Sequence, residues 1–209
     1  LATRVLLGRT LREQGWRGGL HPVTGLVAVK APVFSMSKLP LVDTYLGPEM
    51  KSTGEVMGVD WTYEAALAKA LIASHSAIPA GAAVLLSLAD RDKAPAERMV
   101  RQLTEAGHAL YATEGTARMI EALGLPVQSI AKRIAAGHPN VLDVIEGGLV
   151  GAVVNTVTGR RGPLKDGFLI RRAAVERRIP CFTSLDTAIV AAEVATRPDL
   201  ALEAHPLAE

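Results

Sequence analysis

The chain has 209 residues, enough for one large domain or two small ones with a proper core. Its 49% hydrophobic and 21% charged residues are those of ordinary globular protein, and a formal net charge of +2 with scattered basic residues gives no footprint for nucleic acid. One cysteine, Cys181, excludes an internal disulfide framework and a cysteine zinc site, which fits a reducing cytoplasm. No apolar run reaches the roughly 18 residues of a transmembrane helix, and the start is not a signal peptide. The sequence opens at Leu1 on what reads as mid-domain material, so a fragment of something longer is expected.

Residues 1 to about 75 give few clean periodic elements. Val5-Leu6-Leu7 and Leu11 suggest a helix ending near Gly15. Leu26 to Phe34 reads as a strand broken at Pro32. Leu46 to Gly58 holds three glycines and a proline, and is not expected to be regular throughout. A helix from Thr62 to Ala73 follows, then a linker to Gly81. From Ala82 the pattern becomes regular. Ala83–Leu88 reads as a strand, and Pro95 as the first residue of a helix carrying Met99, Val100 and Leu103. Ala109–Ala112 is a second strand, the turn Thr113-Glu114-Gly115-Thr116 follows, and a helix runs on to Leu123. Val127–Ile130, Ala152–Asn155 and Pro180–Thr183 are further strands; Val141–Ile145, Asp166–Glu176 and Asp186–Thr196 are helices. Short apolar strands alternating with helices predict a parallel sheet covered on both faces.

Ligands of such sheets bind outside the carboxyl ends of the strands. There the sequence places Ser87, Asp92 and Lys93; Thr113, Gly115 and Thr116; Lys132; Asn155, Thr156, Thr158, Arg160 and Arg161; and Thr183 and Ser184. This edge is rich in cations and hydroxyls and poor in carboxylates that could act as bases. It suits holding a phosphate better than breaking bonds. Helix-start N–H groups without an intrahelical partner would help, although Thr113 or Thr116 could simply cap the helix. Polar residues also collect at any strand end because loops are solvated. The RRxxxxRR cluster (Arg171, Arg172, Arg177, Arg178) reads as a solvated helix face. His21, His75, His108 and His205 show no metal spacing and read as surface or loop residues.

Residues 83–200 resemble a methylglyoxal-synthase-like domain. Lys30 to Gly58, KAPVFSMSKLPLVDTYLGPEMKSTGEVMG, resembles the end of the second ATP-grasp module in the large-subunit family of carbamoyl-phosphate synthetases. LATRVLLGRTLREQG at the start matches as well. The resemblance implies the tail of an ATP-grasp module over 1–75, a linker over 76–81 and an allosteric domain over 82–209. That domain would be a three-layer α/β/α fold on a five-stranded, mainly parallel sheet. The resemblance further implies a cytoplasmic ATP-dependent ligase that makes carbamoyl phosphate for arginine and pyrimidines. ATP with magnesium or manganese, and potassium, would be bound upstream, and the piece alone would be inactive. Partners would be the rest of the large subunit, a glutamine-amidotransferase small subunit and a UMP- or IMP-type effector; a homo-oligomer is an option, nucleic acid and membrane are not.

Carried over by position, Lys93, Thr113, Gly115, Thr116 and Lys132 would hold the effector phosphate. Ser87, Asn155 and Arg160 would face ribose and base. No catalytic and no metal-binding residue is expected. Val157 stands where many relatives have a threonine, which removes a hydroxyl contact. Some relatives bind ornithine; at the matching positions Ala31 replaces an acidic residue, Cys181 replaces a tyrosine, and Thr183 is retained. Weak or absent ornithine activation is therefore expected. Two alternatives remain. One is a domain used only for oligomer contacts, through Val144, Ile145 and the last helix. The other is a methylglyoxal synthase, a lyase, for which only the loop residue His138 and no carboxylate is at hand.

Overall fold

The computed structural model describes residues 1–20, 25–39, 42–132, 138–157, 165–197, 200 and 202–204. Its first part is built on an antiparallel pair, β1 (Val27–Val33) and β2 (Gly54–Asp60), backed by the helix α2 (Tyr63–Ala73). Upstream, the expected single helix is two short pieces, α1 (Ala2–Leu6) and a 3-10 turn at Arg12–Gln14, neither with a buried residue. Pro32 does not break β1. It pairs opposite Glu55 in a two-stranded ribbon, where every strand is an edge and a missing N–H is tolerated. Regular structure also begins inside the glycine-rich stretch, because β2 starts at Gly54. Gly58 explains one of those glycines: a Cβ there would fall 1.9 Å from the Ala66 carbonyl oxygen and 2.6 Å from Ala70 N. Only a residue without a side chain lets β2 lie this close to the alanine-rich α2.

The second part is a five-stranded sheet in the order β5-β4-β3-β6-β7, with every neighbouring pair parallel. Its strands are β3 (Val84–Ser87), β4 (Leu110–Thr113), β5 (Gln128–Ile130), β6 (Ala152–Asn155) and β7 (Cys181–Phe182). Successive strand residues go to opposite faces, and the two cores show it. Val84, Leu86, Ala152 and Val154 pack with α4 (Glu97–Glu105), α5 (Glu114–Ala122) and α8 (Leu185–Ala195). Leu85 and Val153 pack with α6 (Val141–Glu146) and α7 (Lys165–Glu176) on the other face. This is a three-layer α/β/α arrangement. The central strands β3 and β6 are buried along their whole length, as strands covered on both faces must be.

Several local expectations are corrected. Thr113-Glu114-Gly115-Thr116 is not a turn before a helix; α5 begins at Glu114 with Thr113 at its N-cap. Pro95 does not start α4. A short helix, α3 (Asp90–Lys93), comes first, and Pro95 lies in the bend between the two. Val144 and Ile145 are core residues, so they cannot form an external contact face. His108 is also buried, with Nδ1 donating to the Ala82 carbonyl oxygen at 2.7 Å. Ile78, in the expected linker, is buried in the same core as Leu71 of α2. Arg171 and Arg172 are buried rather than solvated; Arg177 and Arg178 are exposed.

Candidate functional site

The strand ends of the parallel sheet bring most of the expected residues together. Ser87 and Asn155 are register partners at the ends of the two central strands, and both are buried. On the other side, Thr113 ends β4 one residue past the Leu86–Ala112 pair. Two threonine hydroxyls shape the crossing between them: Leu88 N donates to Thr116 Oγ1 at 3.0 Å, and Ala89 N donates to Thr156 Oγ1 at 2.8 Å. Thr116 thus holds the chain leaving β3, a duty its place after a glycine did not announce. Thr113 Oγ1 faces Thr116 Oγ1 at 3.5 Å and does not cap α5.

The uncapped start of α5 meets a cluster of charge. A Cβ built on Gly115 would lie 3.2 Å from Lys93 Nζ and 3.9 Å from Arg118 Nη2. The glycine therefore lets an ammonium approach the first turn of the helix. A cation at a helix N-terminus opposes the macrodipole unless an anion joins it. Two acidic side chains are near: Glu114, exposed in the first turn of α5, and Asp90 of α3. Asp90 Oδ1 accepts from Lys93 Nζ at 2.6 Å. The hydrogen bond from Lys93, its charge and the charge of Lys132 hold the Asp90 carboxyl below the ordinary carboxylate range. Both expected lysines therefore act on one exposed carboxylate. Arg118 and Arg91, whose Nη2 donates to the Val157 carbonyl at 3.0 Å, are cations of this edge that sequence reasoning missed. Arg160 lies outside the described residues, as do Thr158, Arg161, His21 and His205.

Near the end of β5, His138 Nδ1 lies 2.6 Å from Asp143 Oδ2. Asp143 also accepts from Asn140 N at 2.8 Å and so closes the capping box of α6. The Asn140 N–H first, then His138, lower its pKa. A carboxylate does stand beside His138, but it is engaged by the cap. Among the described residues no three His, Cys, Asp or Glu side chains gather as a metal site, and no helix is long and apolar enough to cross a membrane.

A concave region lies between the two parts of the chain. It is a cavity of about 610 Å³ whose lining includes Ala31, Met36, Arg178, Cys181 and Thr183. The three positions expected to surround ornithine thus line one cavity. Burial pushes the Cys181 thiol up to about 12, so it stays neutral. The nearby Asp43 carboxyl is opposed by burial, yet the hydrogen bonds from Arg171 and Tyr45 N–H and the charges of Arg171 and Lys51 outweigh it and hold it below the ordinary range.

Residues 96–183, within the layered sheet carrying this edge, match the family described as an MGS-like domain. Over 188 residues, 90% of the chain, the sequence is 61% identical to the carbamoyl phosphate synthase large chain of Thermomicrobium roseum. The chain spans 17% of that protein's length.

Proposed function

We propose that the chain is the C-terminal regulatory part of a cytoplasmic, glutamine-dependent carbamoyl-phosphate synthetase large subunit. Its MGS-like domain would bind a nucleoside monophosphate of the UMP or IMP type and so control carbamoyl phosphate synthesis. Residues 1–75 would belong to the second ATP-grasp module, with 76–81 joining it to the regulatory domain. Catalysis, with its ATP, divalent metal and potassium, belongs to the rest of the subunit, and ammonia comes from the amidotransferase partner. The 61% identity supports the parentage. The observation that carries the nucleotide reading is Lys93 Nζ at the uncapped start of α5, beside Gly115.

In this reading a phosphate oxygen replaces Asp90 as the partner of Lys93 and takes the free N–H groups of α5. Lys132 and Arg118 would add charge from the rim. Ser87 and Asn155, on the neighbouring strand ends, would meet the ribose and base, with Arg160 beyond them. Hydrogen bonds to a charged group contribute about 1.5–3 kcal/mol each. Losing Lys93 should therefore weaken binding about tenfold or more, at about 1.4 kcal/mol per tenfold. The test is a calorimetric titration with UMP, then IMP, of the wild-type chain and of Lys93→Ala. Saturable binding that the substitution weakens supports the reading. A flat titration of well-folded wild-type protein overturns it.

A further inference from the structure

Arg171 is the largest fully buried side chain of the described residues, 1% exposed. A buried guanidinium persists only where its charge and donors are matched. Here Nε and Nη2 donate to the two Asp43 oxygens at 2.7 and 2.5 Å, a bidentate pair. The remaining arm, Nη1, donates to Asn155 Oδ1 at 2.8 Å. Arg171 of α7 thus joins a residue of the phosphate edge to Asp43, which lies 128 positions before the arginine in the amino-terminal segment. Arg172 grips the same segment, its Nη1 donating to the Met36 and Leu39 carbonyl oxygens at 3.2 and 3.1 Å.

The contact also decides what Asn155 offers. A guanidinium has donors only, so an amide meeting it must turn its oxygen inward and its NH2 the other way. Among the described residues that NH2 has no partner. Gly167 supplies the room: a Cβ there would lie 3.0 Å from Arg171 Nη1 and 3.7 Å from Asn155 Oδ1. Without Asp43 the guanidinium would keep its charge but lose its bidentate anchor, and the Asn155 amide would lose its fixed orientation.

We propose that Arg171 is a positioning residue that holds Asn155 as a hydrogen-bond donor toward the effector and, through Asp43, couples nucleotide affinity to the amino-terminal segment. The proposal rests on the nucleotide reading above. Among the described residues, Asp43 reaches the phosphate edge only through Arg171, which makes it the informative site to change.

The test titrates the whole chain with UMP, and in parallel with inorganic phosphate, for wild type, Asp43→Asn and Asp43→Glu. Asp43→Asn should weaken UMP by between about fivefold and a hundredfold, the usual span of couplings between sites. Inorganic phosphate, which probes the lysine end alone, should change by less than about twofold. Asp43→Glu keeps the charge but displaces the carboxylate by one methylene. It should give a smaller loss of the same kind, and serves should Asp43→Asn fail to fold. UMP affinity within about twofold of wild type in a folded variant overturns the coupling while leaving the nucleotide reading intact. A parallel fall in UMP and phosphate affinity also overturns it, because it would mean general loosening. Absence of UMP binding by wild type overturns both.

Discussion

Lys93 was legible in the sequence as a cation past a strand end, but its present partner was not. Asp90 lies three residues before it, and α3 brings the two together at 2.6 Å. The Asp90 side chain is almost fully exposed, so the pair itself adds little to stability. Its effect should fall on the ligand. A carboxylate bonded to Lys93 and drawn by the charge of Lys132 occupies the charge that a phosphate needs, and repels the phosphate once displaced. Asp90→Asn is accordingly expected to tighten UMP binding by about two- to fivefold at low ionic strength, the gain fading as salt screens exposed charges. Titrations at two salt concentrations check this. Weaker binding by the variant would show that Asp90 instead pre-positions Lys93. Val157 adds to this edge through its carbonyl, which accepts from Arg91, so a residue without a side-chain hydroxyl still joins the local network.

Elements were legible where burial dictates pattern. The central strands β3 and β6 of the parallel sheet are short apolar runs because both faces are covered, and α4 shows its buried stripe of Met99, Val100 and Leu103 in the spacing alone. What the pattern could not show is contact across distance. The adjacent arginines Arg171 and Arg172 read as a solvated face because their carboxylate and carbonyl partners lie more than a hundred residues upstream. Likewise the glycine after Thr113 reads as a turn signal, yet Gly115 is helical and serves the approach of Lys93. Gly58 is the strictest case. Its neighbours at 1.9 and 2.6 Å are backbone atoms of α2, which cannot rotate away as a side-chain tip can. Gly58→Ala should therefore separate β2 from α2 and cost about 3 kcal/mol or more, the upper end of overpacking penalties. Chemical denaturation reads this directly. A variant within about 0.5 kcal/mol of wild type, the usual effect of a surface change, would show that the close approach is not needed.

At the scale of the whole molecule, the two parts of the chain meet around a cavity and a buried arginine pair, and neither is visible from either part alone. The cavity of about 610 Å³ is lined by Ala31 from β1 and by Cys181 and Thr183 from the far edge of the parallel sheet. Its described lining contains no Asp or Glu, and the charge it does carry is the cation Arg178. The thiol of Cys181, pushed up to about 12, supplies no negative charge at neutral pH. A cationic amino acid entering here would give up water around its ammonium groups and find no carboxylate in return, a loss that burial does not forgive. Ornithine is therefore expected to leave calorimetric traces of this chain flat, and to leave synthesis by an intact synthetase carrying it unchanged. Ala31→Glu places a carboxylate on the cavity wall and should create measurable ornithine binding where wild type has none. A clear rise in synthesis with ornithine in the unmodified enzyme would overturn this, and would mean that the cation finds its counter-charge beyond the walls described.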